Sequence, residues 1–189
     1  MTEKNEAWFE DIYLSNQAAV MRYIGSRVNS HSVVQDIFAT TFEVAWKQKD
    51  SLTDHVQPFL IAVARNQIRK YWRELGRGEL HLTSLDEISQ TLDFEDSTVD
   101  AITQKQLIHT VLSELSETDC EILLLAYWDD LSQSDIAQVL GLSDVSVRVK
   151  LHRARSRADK ILAKLDSQYR EVRIDQNRSQ PKGVTSYEV

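Results

Sequence analysis

The chain has little of what a cross-linked or turn-rich protein needs. Its 189 residues include one cysteine, two prolines and five glycines. The lone thiol, Cys120, excludes an internal disulfide and fits a reducing compartment. So few breakers argue against an all-β fold, which needs turns every few residues, and favour helices. No apolar run approaches the ~18 residues of a membrane span. The N-terminal stretch MTEKNEAWFEDIY is acidic and lacks a basic-then-apolar leader pattern. The expectation is a soluble, cytoplasmic chain without membrane insertion. Catalytic signatures are also missing. His31, His55, His81, His109 and His152 are scattered, and no Cys-x-x-Cys pair or Gly-rich phosphate loop occurs. An enzyme is not expected, nor a catalytic residue, a metal or a cofactor. Cys120 reads as a small core residue, and Asp129 and Asp130 as a solvated loop.

What is present is apolar material in helical register and an uneven charge. Hydrophobic residues make up 42% and charged residues 27%, with a net charge of −7. That total speaks against a nucleic-acid partner until it is resolved along the chain. Residues 1–73 carry nine basic and eight acidic groups. Residues 74–106 carry two and eight, and residues 107–146 none and eight. Residues 147–173 then carry nine and three. A basic segment directly follows a strongly acidic one.

The apolar spacing predicts an all-α fold of two small helical domains joined by a flexible acidic linker. In residues 8–29, Phe9, Ile12, Tyr13, Val20, Tyr23, Ile24 and Val28 recur by threes and fours. Over 32–48, Val33, Val34, Ile37, Phe38, Thr41, Phe42, Ala45 and Trp46 make one broad stripe, with Ser30 or Ser32 at its start. Part of that stripe could dock on a partner, although an internal core helix is the commoner use. A polar loop, 47–57, precedes Pro58, which suits the first position of a helix running to about Leu75 and stopped at Gly76. Residues 76–100 are acidic and rich in Ser, Thr and Asp, and read as the linker. The second domain, 101–165, has capping-box patterns at Ser116–Asp119 and Ser132–Asp135. A polar tail, 166–189, reads as frayed.

Two motifs carry chemistry. Residues 131–147 read as a helix-turn-helix, with small Ala137 at the crossing, Gly141 in the turn, Leu142 and Val147 in the angle, and Ser143 capping the second helix. On that helix Val147, Leu151, Ala154, Ala158, Ile161, Leu162 and Leu165 form an inward stripe. Arg148, Val149, His152, Arg153 and Ser156 share the opposite face, with Lys150, Arg155 and Arg157 at its flanks; that polar, basic side, with Ser146 at its start, suits a DNA major groove where Arg bridges guanine acceptors. The other motif is Arg65, Arg69 and Arg73, one residue per turn, with Asn66, Lys70 and Trp72 beside them. Cations next to rings suit an unpaired strand, while Trp72 read by itself could equally be core.

These residues, in this order, resemble the extracytoplasmic-function (ECF) group of sigma factors of bacterial RNA polymerase. Asp36–Trp46 is similar to the group's polymerase-docking helix, and Phe59–Arg73 to the helix that faces the melted strand of the minus-ten element. Leu115–Glu117, Ile136–Ser143 and Ser146–Arg155 resemble the domain that reads the minus-thirty-five element. The resemblance implies core RNA polymerase and promoter DNA as partners, commonly with an anti-sigma factor. It implies polymerase contacts at Asp36, Ile37, Phe42 and Trp46. Residues 1–75 would bind polymerase and melt the minus-ten element, and 101–165 would bind upstream duplex. The chain departs from the group at Ala39 and Thr40, where Gln-Glu is usual, at Lys70, where Asp is usual, and at Val149, where Arg or Ser is common. The competing reading is a stand-alone helix-turn-helix regulator with an N-terminal dimerisation or sensing domain.

Overall fold

A computed structural model describes residues 2–52, 55–76 and 99–178; side chains are described from Asn5 to about Leu165, apart from those of 99–106. Among the described residues every regular element is helical: α1 (Thr2–Gly25), α2 (His31–Lys47), a 3-10 turn (Lys49–Ser51), α3 (Gln57–Glu74), α4 (Val99–Glu114), α5 (Glu117–Tyr127), α6 (Gln133–Leu140) and α7 (Asp144–Arg178).

Helices α1, α2 and α3 pack on one another. Their sequence explains why. Leu60, Ile61, Ala64, Ile68 and Trp72 advance by threes and fours along α3, and all five are buried. Val34, Ile37, Phe38, Thr41, Phe42 and Ala45 do the same on α2. Burying each Leu, Ile or Phe side chain stabilises by about 1.5–3 kcal/mol before chain entropy is counted. An aromatic seam joins α1 to α2: the rings of Tyr13 and Phe42 lie 5.0 Å apart, and those of Phe9 and Trp46 5.3 Å. Buried Thr41 satisfies its hydroxyl by donating to the Ile37 carbonyl at 2.7 Å.

The C-terminal half is built around α7, which α4, α5 and α6 all contact. The two halves do not stand apart. Helix α3 packs against α6, and one continuous apolar cluster runs from Ile12 and Phe42 through Ile68 to Ile122, Ile136 and Val147. Of the expected linker, residues 77–98 lie outside the described residues. Helix α4 begins at Val99, two residues before the expected start.

The expectation of a frayed tail needs correction, because α7 continues past Leu165 to Arg178. The sequence there contains no Gly or Pro before Pro181. Its Gln, Arg and Glu residues are good helix formers, so nothing local ends the helix. Pro58 sits one position inside the start of α3, after Gln57.

Candidate nucleic-acid interface

The helix-turn-helix is set by short-range chemistry. Ser132 and Asp135 form a reciprocal capping box: each backbone N–H donates to the other's side-chain oxygen at 3.2 Å. Two of the orphan donors at the start of α6 are thereby satisfied. Burial would raise the Asp135 carboxyl, but hydrogen bonds from Ser132 and His55 outweigh it and hold the group below the usual carboxylate range. At the other end Gly141 takes φ 65° and ψ 38°, and the Leu142 N–H donates back to the Ala137 carbonyl at 2.9 Å. The Ser146 N–H then donates to Ser143 Oγ at 3.3 Å, starting α7. Val147, Leu151 and Ala154 are buried, which fixes the roll of α7.

That roll presents the basic face. Arg148, Val149, His152, Arg153 and Arg155 are exposed, and Ser146 and Lys150 half-buried. Arg155 lies 5.0 Å over the Tyr127 ring. Arg157 is turned the other way, bonded to Asp119, which itself accepts from Ser116 Oγ at 2.8 Å. Arg157 therefore ties α7 to the start of α5. The inward stripe holds through Ala158, Ile161 and Leu165, but Leu162 is 42% exposed.

The α3 stripe is only partly open. Asn66, Lys70 and Arg73 are exposed, and Lys70 approaches Glu74 at 3.9 Å. Arg69 is half-buried. Trp72 is 3% exposed, a core residue with the Tyr71 ring tilted against it at 4.9 Å, and does not present its ring to a strand. Arg65 faces the other half of the molecule, its Nε and Nη2 donating to the two carboxylate oxygens of Glu121 at 2.6 and 2.9 Å. Of the residues expected to meet polymerase, Asp36 is exposed and Trp46 half-buried, whereas Ile37 and Phe42 lie in the α2 core. Ala39 and Thr40 are on the accessible side of α2.

The expectation of a solvated loop at Asp129 and Asp130 holds for Asp130 and fails for Asp129. Asp129 is buried and accepts from Arg27 Nη2 at 2.9 Å. Arg27 also donates to the Tyr23 carbonyl at 3.0 Å and to Ser26 Oγ at 2.9 Å, and lies 3.7 Å over the Tyr23 ring. Burial alone would lower the Arg27 pKa; Asp129 beside it more than offsets that, so the guanidinium stays charged. The Tyr23 hydroxyl is pushed up by burial. Cys120 is buried as expected, which pushes its thiol up to about 12. Among the described residues no three His, Cys, Asp or Glu side chains gather as a metal site, and no helix is long and apolar enough to cross a membrane.

A helix-turn-helix with an exposed basic second helix, carried beside a second helical bundle with its own basic stripe, defines a DNA-binding transcription protein. The family description "Sigma-70, region 4" matches residues 105–158, from within α4 to the middle of α7. The chain is 24% identical over 165 residues to "RNA polymerase sigma factor YlaC" of Bacillus subtilis, covering 85% of this chain and 95% of that protein. It is 26% identical over 152 residues to "ECF RNA polymerase sigma factor SigM" of the same organism, covering 78% and 91%. In fold it matches the sigma factor RpoE, solved in complex with the anti-sigma factor NepR from Bartonella quintana, with a TM-score of 0.57 at 19% identity over 82% of this chain and 96% of that one. CnrH, solved in complex with the cytosolic domain of CnrY, matches with a TM-score of 0.56 at 20% identity, covering 82% and 88%. Over most of its length the chain is thus similar to ECF sigma factors, and over residues 105–158 to their region 4.

Proposed function

We infer that the chain binds core RNA polymerase and directs promoter-specific transcription initiation, acting as a regulator in the cytoplasm and not as a catalyst. The observation that carries this is the exposed basic face of α7, held at a fixed roll by Val147, Leu151 and Ala154 behind a capped, Gly141-turned helix-turn-helix. In this reading Ser146, Arg148, Val149, Lys150, His152, Arg153 and Arg155 meet upstream duplex DNA. Asn66, Lys70 and Arg73, joined by Arg65 and Arg69 when free to turn outward, hold the melted downstream strand. The surface around Asp36 and Trp46 docks on polymerase, with Ile37 and Phe42 shaping it from beneath. Residues 1–75 form the polymerase and minus-ten unit, 76–100 the tether, and 101–165 the upstream reader. The similarity in fold to the sigma factor RpoE, solved in complex with the anti-sigma factor NepR, supports an anti-sigma protein as a further partner.

The test is reconstitution. Purified chain added to core polymerase should form a complex and yield transcripts from discrete promoters. No complex and no promoter-directed transcript at low salt would sink the reading. In the same assay, Arg153→Ala should weaken upstream-element binding by about 1–3 kcal/mol with discrimination lost at one base pair, if Arg153 reads a base. An equal loss on every DNA sequence would make it a phosphate contact. Palindromic DNA binding without polymerase would favour the stand-alone regulator instead.

A further inference from the structure

Two valines stand on the outermost line of the basic helix. Val145 is 59% exposed and Val149 42%, on the first two turns of α7. Neither belongs to the apolar clusters of the described residues. At about 100° per residue, Val145, Val149 and His152 fall on one stripe, and that stripe points away from buried Val147, Leu151 and Ala154. Arg148 and Arg153, both exposed, lie to either side of it. The part of α7 that reaches furthest outward therefore begins with carbon, and the cations flank it.

Nothing in the fold calls for this arrangement. Valine is β-branched and a weaker helix former than alanine, so at exposed positions it does not help α7 to form. Two apolar side chains one turn apart, both facing water, gain only when something apolar covers them. In a major groove the start of such a helix meets base edges. Those edges are donors and acceptors, with one apolar exception, the C5-methyl of thymine. A valine over a guanine or cytosine edge would strip water from polar atoms and give them no partner. Over thymine it meets a methyl group. The two valines are about 6 Å apart along the helix axis, four residues at about 1.5 Å each. Base pairs advance by about 3.4 Å, so the two methyls belong to pairs one or two steps apart.

We propose that Val145 and Val149 read thymine methyl groups, so that the upstream element bound by α7 carries A·T pairs at two positions one or two steps apart, with Arg148 and Arg153 reaching base edges or phosphates beside them. Val145 joins the interface through its exposure and its place on the stripe, not through charge. The inference deepens the reading of α7 as the upstream reader and rests on it.

The experiment uses holoenzyme reconstituted from the full chain and core polymerase. Promoter duplexes randomised across the upstream element are selected by binding. Thymidine in the selected duplexes is then replaced by deoxyuridine, which pairs identically and lacks only the methyl, and affinity is read by fluorescence anisotropy. Selection should return A·T pairs at two positions one or two steps apart. Each methyl removed there should weaken wild-type binding by about fourfold, the fold-change of one buried CH2. Val145→Ala and Val149→Ala should each lose about as much on thymine DNA, and each should become blind to uracil at one position while still sensing it at the other. Alanine is the better helix former, so both variants should keep wild-type helix content by circular dichroism. A selected element without A·T pairs at that spacing overturns the inference. So does wild-type affinity that ignores uracil, or valine variants that sense it as wild type does. Variants that lose core polymerase while their response to uracil is intact would make the valines a protein contact, which also overturns it. A holoenzyme that enriches no upstream sequence at all fails the sigma-factor reading itself, and this inference with it; one that selects an element but ignores the methyls fails this inference alone.

Discussion

Replacing Arg27 by Met isolates the buried pair that joins the two halves. The substitution keeps most of the aliphatic stem but removes the guanidinium. Three hydrogen bonds go with it, to Asp129, the Tyr23 carbonyl and Ser26 Oγ, together with the contact on the Tyr23 ring. The larger effect is on what stays behind. The Asp129 carboxylate, 3% exposed, would sit without a countercharge. Breaking a buried pair from one side costs about 3–5 kcal/mol, a large share of the ~5–15 kcal/mol that holds a typical domain. For a chain of this size that lowers Tm by about 6–20 °C. Urea unfolding followed by circular dichroism measures it on four proteins: wild type, Arg27→Met, Asp129→Leu and the double variant. The double variant should be more stable than the sum of the singles by about 1–3 kcal/mol, because neither charge is then stranded. Because the pair links the halves, Arg27→Met should also broaden or split the transition. A cost for Arg27→Met below about 1 kcal/mol, or strict additivity in the cycle, would refute the reasoning.

Other expectations are simpler. Gly141→Ala should cost about 1–2 kcal/mol by thermal unfolding; nothing lies within 4 Å of an added Cβ, so the cost is backbone strain at φ +65° alone, and Gly141→Asn should cost less. Asp135 has a folded pKa below its unfolded value of ~3.9, so its contribution is full above about pH 4 and is lost as pH falls through the folded value. Ser132→Ala removes the main group that lowers it, so acid unfolding should shift to higher pH, alongside a loss of about 1 kcal/mol at neutral pH from the missing cap. An acid limb that does not move would dissociate Asp135 from that cap.

Local chemistry was the legible part. The capping box at Ser132 and Asp135, the left-handed Gly141 and the roll of α7 all follow from residues within one or two turns, and all are in the structure. Ser30 stands at the start of α2, though its hydroxyl meets Ser32 rather than the backbone. Inside and outside were harder to separate within a motif. Ile37, Phe42 and Trp72 belong to stretches that resemble binding helices, yet their side chains are core; resemblance assigns a segment, and only packing assigns a face. The ion pairs were invisible in the sequence because their members are 56, 80 and 102 residues apart. The one available signal was the all-acidic stretch 107–146. Four of its eight carboxylates, Asp119, Glu121, Asp129 and Asp135, are engaged by basic groups elsewhere in the chain. Asp129 and Asp130 differ in fate because Asp130, at φ 53°, turns the chain out while Asp129 is carried in.

Cys120 gives the molecule a clock. Its thiol is buried against Leu124, with Leu112, Leu115 and Trp128 packed around it. With its pKa pushed up to about 12 by burial, the sulfur is held as the unreactive thiol while it is packed away. A disulfide reagent in solution therefore meets this sulfur only in the moments when the packing around it opens. Because the chain has no second thiol to confuse the signal, the rate of that single reaction counts local openings directly, in the way amide exchange counts them for the backbone.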